Sequence, residues 1–62
     1  MKELELLEVI LNEKGIELTP NQVIEFKKGC KKAIDDHLDA DCQKKAAEVY
    51  LYLVLKRPDM NL

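Results

Sequence analysis

Leu38-Asp39-Ala40-Asp41 is the stretch on which the fold of this 62-residue chain turns. No glycine or proline interrupts residues 31 to 57. The chain can therefore run through them as one long helix or break at these four residues into a hairpin. The break is the favoured reading. Asp39 or Asp41 can cap a new helix, because a side-chain oxygen there accepts from backbone N–H groups that have no partner within the helix. The lysines before the break and the aspartates at it also match, loosely, the signs that the two helix ends prefer.

Followed by Cys42 and Gln43, the stretch reads Leu-Asp-Ala-Asp-x-Gln. Over these six residues it resembles the turn of the Rop-type plasmid RNA-binding helical hairpins, and the resemblance implies a hairpin turn here. The arm that follows is shorter, with no counterpart to an RNA-binding aromatic and basic face, so no function is carried over. In a hairpin, antiparallel pairing brings Ile34 near Ala46, Cys30 near Val49 and Phe26 near Leu53.

Beyond the turn lies the most apolar run of the chain, Ala46 to Leu55. On a helix, Cys42, Ala46, Val49, Tyr50 and Leu53 share one face at i, i+3, i+4, i+7 spacing, while Leu51, Tyr52 and Leu55 point elsewhere. Valine and tyrosine also favour strands, but no second strand is evident to pair with. The helix is expected to end at Arg57, since Pro58 disfavours helical geometry in the residue before it. Asp59-Met60-Asn61-Leu62 is then expected to fray.

Before the turn, Thr19-Pro20-Asn21-Gln22 satisfies several rules of helix initiation together. Thr19 can cap, Pro20 stands at the first helical position and Gln22 can close a capping box, with Leu18 and Val23 placed for a hydrophobic staple. The helix that follows presents Val23, Phe26, Cys30, Ala33 and Ile34, with His37 at the stripe's edge, in the spacing of a bundle helix. Gly29 is its weak point, costing up to about 1 kcal/mol relative to alanine, and close helix packing is what could justify it.

The first segment, residues 2 to 14, puts Leu4, Leu7 and Leu11 on one helical face, and Leu6, Val9 and Ile10 widen the apolar surface. Gly15 suits a left-handed stop, after which Ile16 can pack back on Leu11. The pattern predicts an all-α fold, a three-helix bundle in one domain over residues 1 to 62. A core of this size seldom supplies more than about 3–5 kcal/mol, so completion by homodimerisation is a natural expectation. The surplus apolar residues Leu6, Val9, Ile10, Leu51, Tyr52 and Leu55 are the expected interface, with a second copy or another protein.

Composition excludes more than it proposes. At 47% hydrophobic and 35% charged residues the chain should fold, and its net charge of −2 gives no global pull toward phosphate or anionic lipid. No run approaches the roughly 18 apolar residues of a membrane span. Glutamates at positions 3, 5 and 8 break any signal-peptide core. Two isolated cysteines suggest a reducing compartment, and the cytoplasm is the expected location.

Chemistry is equally sparse. There is no serine, and the only hydroxyl groups are on Thr19, Tyr50 and Tyr52, so no hydroxyl nucleophile with its base is visible. Cys30 and His37 lie two helical turns apart, roughly 10.5 Å, too far for a thiolate–imidazole pair. With Cys42 they cannot converge on zinc either. Asp35, Asp36, Asp39 and Asp41 fail as a calcium loop. Counting from Asp39 places Lys44 where the glycine belongs and Tyr50 where the bidentate glutamate belongs, and counting from Asp35 places Ala40 and Ala46 there. No catalytic residue, metal ligand, cofactor or small-molecule substrate is expected.

Lys27, Lys28, Lys31 and Lys32 form a compact basic patch that could meet phosphates. No aromatic residue interleaves with them for base stacking, and neighbouring aspartates cancel much of the field. A non-enzymatic interaction or regulatory protein is the leading expectation. A small helical nucleic-acid-binding regulator is the alternative.

Overall fold

A computed structural model of the chain describes residues 2–57. It contains three α-helices, α1 (Glu3–Lys14), α2 (Pro20–Asp36) and α3 (Ala40–Lys56). α3 ends within one residue of the expected Arg57, its last helical residue being Lys56 and Arg57 its extended C-cap, whereas the expected tail from Asp59 to Leu62 lies outside the described residues.

Each helix begins and ends where local chemistry directs. Gly15 takes the left-handed conformation at φ 64°, and its N–H and that of Ile16 both donate to the Leu11 carbonyl. This is the Schellman ending that a glycine permits without steric cost. Thr19 and Gln22 close a reciprocal capping box. Gln22 N–H donates to Thr19 Oγ1 at 3.3 Å and Thr19 N–H donates to Gln22 Oε1 at 2.9 Å. Leu18 and Val23, the staple pair, are partly buried against the core.

The chain does break at the hairpin. α2 ends at Asp36, with His37 extended as its C-cap, and Asp39 caps α3 by accepting from Asp41 N–H at 3.3 Å. A side chain from beyond the turn also holds the junction. Gln43 is buried, and its Nε2 donates to the His37 carbonyl at 2.7 Å, satisfying a group that the end of α2 leaves open. His37 is therefore exposed at the turn and not part of the α2 stripe.

The core is Leu6, Leu7 and Ile10 from α1, Phe26, Cys30 and Ala33 from α2, and Ala47, Leu51 and Val54 from α3. α2 and α3 form the most extensive pairing, and α1 lies across both. Gly29 sits against Tyr50, which keeps the axial register expected of the hairpin. The rotation of α3 differs from expectation. Its buried residues are Gln43, Ala47, Leu51 and Val54, while Cys42, Val49 and Leu53 are exposed. The reason lies in α1: a helix with two neighbours buries the arc between them, not the arc that faces one. α1 obeys the same rule, burying Leu6, Leu7 and Ile10 while Leu4 faces outward.

Two ion pairs fix α1 to α3 at the surface. Lys44 Nζ lies 2.7 Å from Glu13 Oε2 and 2.8 Å from Oε1, and Lys14 lies 4.0 Å from Glu48. The Glu13 carboxylate raises the Lys44 ammonium above its ordinary pKa.

Candidate interaction surface

The rotation of α3 redistributes the residues expected at an interface. Leu6, Ile10 and Leu51 are sealed inside the monomer's own core, Leu51 being only 2% exposed, and cannot also meet another chain. Val9 is half-buried on α1. Tyr52 and Leu55 lie outside as expected, at 56% and 38% exposure, and Val49 and Leu53 join them at 59% and 52%. These four apolar side chains occupy the last two turns of α3. A surface helix ordinarily turns charged and polar groups outward, so four large apolar residues on the solvent side make this the most distinctive surface of the molecule.

Polar groups frame the apolar arc. Lys56 reaches back over the Tyr52 ring, its Nζ 4.6 Å from the centroid, a cation–π contact that keeps the ammonium close to the aromatic face. On the other side Glu48 points toward Lys14. Around the helix toward α2, a shallow groove of about 280 Å³ is lined by Gly29, Tyr50, Leu53 and Val54 together with Lys28, Lys32 and Arg57.

The basic patch of α2 is spread around the helix. Lys28 and Lys32 border the groove with Arg57, whereas Lys27, Lys28 and Lys31 line a second depression with Glu3 and Ile24. Lys28 is also paired with Glu25 at 3.5 Å, and Lys27 is partly covered. Glu3 and Glu25 thus bring negative charge into the patch itself. The lysines form a less coherent surface than the apolar arc of α3.

Comparison with known protein families, curated proteins and solved structures finds no match for this chain.

Among the described residues no buried side-chain nitrogen or oxygen lacks a hydrogen-bond partner, so none is left aimed at an absent ligand. No group of three or more His, Cys, Asp or Glu among those residues is placed to hold a metal ion. Cys30 lies in the core and Cys42 is exposed, its Sγ 3.7 Å from Asp39 Oδ2.

Burial pushes the Cys30 thiol up from 9.0 to about 11, and the Glu3 carboxylate adds to the effect. A thiol raised in this way is mostly neutral at ordinary pH and a poor nucleophile. Its contribution to stability is complete below pH 9, where both folded and unfolded chains hold the proton. Between pH 9 and about 11 only the unfolded chain releases it, so stability falls by up to roughly 3 kcal/mol. Urea unfolding midpoints should decline across that window, and Cys30→Ala should remove this part of the slope.

The sequence could have located the α3 surface had the buried arc been sought between two neighbours. Val49, Tyr52, Leu53 and Lys56 follow i, i+3, i+4, i+7 spacing as regularly as the core does. Periodicity identifies two apolar stripes on α3 but does not say which one faces inward.

Proposed function

We propose that this chain is a non-enzymatic interaction module that self-associates through the outer face of α3. The observation that supports the reading is the exposure of Val49, Tyr52, Leu53 and Leu55 together on the last two turns of one helix. Covering them would remove apolar surface from water at about 25 cal/mol per Å², a useful supplement to the small core of a 62-residue chain.

Light scattering across a concentration series tests the proposal. The wild-type mass should rise from the 7.2 kDa of one chain toward twice that value. Val49→Glu/Tyr52→Glu should remain at one chain's mass with unchanged helical circular dichroism, because both positions are exposed. A wild type that remains monomeric up to about 1 mM, which corresponds to an association free energy weaker than about −4 kcal/mol, overturns self-association.

A further inference from the structure

We propose that the groove between α2 and α3 docks an acidic amphipathic helix of another protein, which lays apolar side chains against Leu53 and pairs its carboxylates with Lys28, Lys32 and Arg57. This surface is distinct from the outer face of α3, apart from Leu53 at their border.

The lysines of α2 divide between two sites. Lys27 and Lys31 line a separate depression with Glu3 and Ile24, whereas Lys28 and Lys32 border the groove of about 280 Å³ whose other wall is α3. From that wall Arg57, the C-cap of α3, contributes a third cation. Glu25, 3.5 Å from Lys28, is the only carboxylate among the described lining residues. Three positive charges against one negative leave the rim basic, on a chain whose net charge is −2. The floor differs in character: it is apolar, with Val54 below and Leu53 52% exposed. A basic rim over an apolar floor complements a ligand that carries an apolar stripe and negative charge side by side.

Spacing makes a helix the fitting form. Lys28 and Lys32 are i and i+4 on α2, about 6 Å apart along its axis. A helix lying along α2 repeats at the same interval, so carboxylates at its own i and i+4 positions meet both lysines. Leucines at i−1 and i+3 then fall on the neighbouring edge, toward Leu53. α1 covers the opposite side of the α2–α3 hairpin, where Leu6 and Ile10 enter the core, so a helix in the groove would complete a four-helix arrangement. A nucleic-acid backbone offers negative charge but no apolar stripe for Leu53.

A titration followed by amide NMR provides the test. The probe is a peptide of about 16 residues built on the repeat Leu-Glu-Ala-Ala, long enough for an alanine-rich helix to form, and its counterpart carries lysine in place of glutamate. The acidic peptide should bind wild type with shifts concentrated at Gly29, Lys32 and Arg57, and not at Val49 or Leu55. Lys28→Glu/Lys32→Glu should bind it roughly tenfold more weakly and should bind the lysine peptide more tightly than wild type does. Both positions are exposed, and circular dichroism checks that the helices stay intact.

Absence of shifts up to about 1 mM peptide, equal binding of the two peptides by wild type, or shifts confined to Val49 and Leu55 overturns the proposal. Shifts at Gly29 and Arg57 on concentrating the protein alone would give the groove to a second copy. Tighter binding of a single-stranded oligonucleotide at Lys28 and Lys32 would give it to nucleic acid, and either result overturns the acidic helix. Self-association is read from the mass of the protein without peptide, so the two proposals fail separately.

Discussion

Leu51→Asp is expected to unfold the chain, whereas Tyr52→Asp, one residue further along α3, should leave the monomer folded. The two positions share a helix, a turn and nearly the same distance from the helix end, so the intrinsic helix cost of aspartate is similar at both. What separates them is solvent. Leu51 is 2% exposed and belongs to the cluster formed with Leu6, Ile10, Phe26 and Ala47, while Tyr52 is 56% exposed. An aspartate at 51 loses the leucine's packing and must either bury an unpaired carboxylate or draw water into the core, a combined cost of at least about 4 kcal/mol. A core of this size supplies only about 3–5 kcal/mol in all. Circular dichroism should show Leu51→Asp without a cooperative thermal transition and Tyr52→Asp with one. The milder Leu51→Ala, costing about 2–4 kcal/mol, should lower the midpoint strongly. A folded, monomeric Leu51→Asp would return Leu51 to an intermolecular face and overturn the rotation of α3.

That rotation marks the boundary of what could be read from the residues alone. Local signals were legible: Gly15 at the end of α1, the Thr19–Gln22 capping box and the Asp39 cap each depend on a few neighbouring residues, and each is where the sequence places it. Phe26, Cys30 and Ala33 were legible too, because the amphipathic stripe of α2 is narrow and its opposite side is filled with lysines. α3 and α1 carry apolar residues around most of their circumference, and periodicity there identifies more than one face. Choosing between those faces requires knowing that α1 packs beside α2 and covers the side of α3 bearing Ala47, Leu51 and Val54. That fact belongs to tertiary structure. The same ambiguity assigned Leu6, Ile10 and Leu51 to an interface and Val49 and Leu53 to the core. Gln43 was legible as part of the turn motif, but its hydrogen bond to the His37 carbonyl depends on the angle between α2 and α3.

Gly29→Ala should destabilise the protein, reversing the usual sign for a glycine in a helix. In an open helical position the replacement gains up to about 1 kcal/mol, because alanine loses less backbone freedom on folding. Here an added Cβ would come within 2.5 Å of Tyr50 Cβ and 2.7 Å of its Cγ. The first of these atoms is attached directly to the α3 backbone and cannot rotate away, so relief requires α2 and α3 to move apart along their principal contact. Overpacking of this kind costs about 1–3 kcal/mol, enough to exceed the propensity gain. The net loss should appear as a fall of roughly 5–10 °C in thermal midpoint for a domain of this size. Tyr50→Gly removes the obstructing Cβ, and in that background Gly29→Ala should become neutral or stabilising, so that the two substitutions couple strongly in a double-mutant cycle. A stabilising Gly29→Ala in the wild-type background would mean that the helices stand further apart than Tyr50 permits here. Glycine at 29 gives up helical propensity for close approach of α2 to α3, and that approach fixes Tyr50 against α2. With Tyr50 inward, helical geometry turns Tyr52 and Val49 outward, so the packing at one glycine also determines which face of α3 is left for another chain.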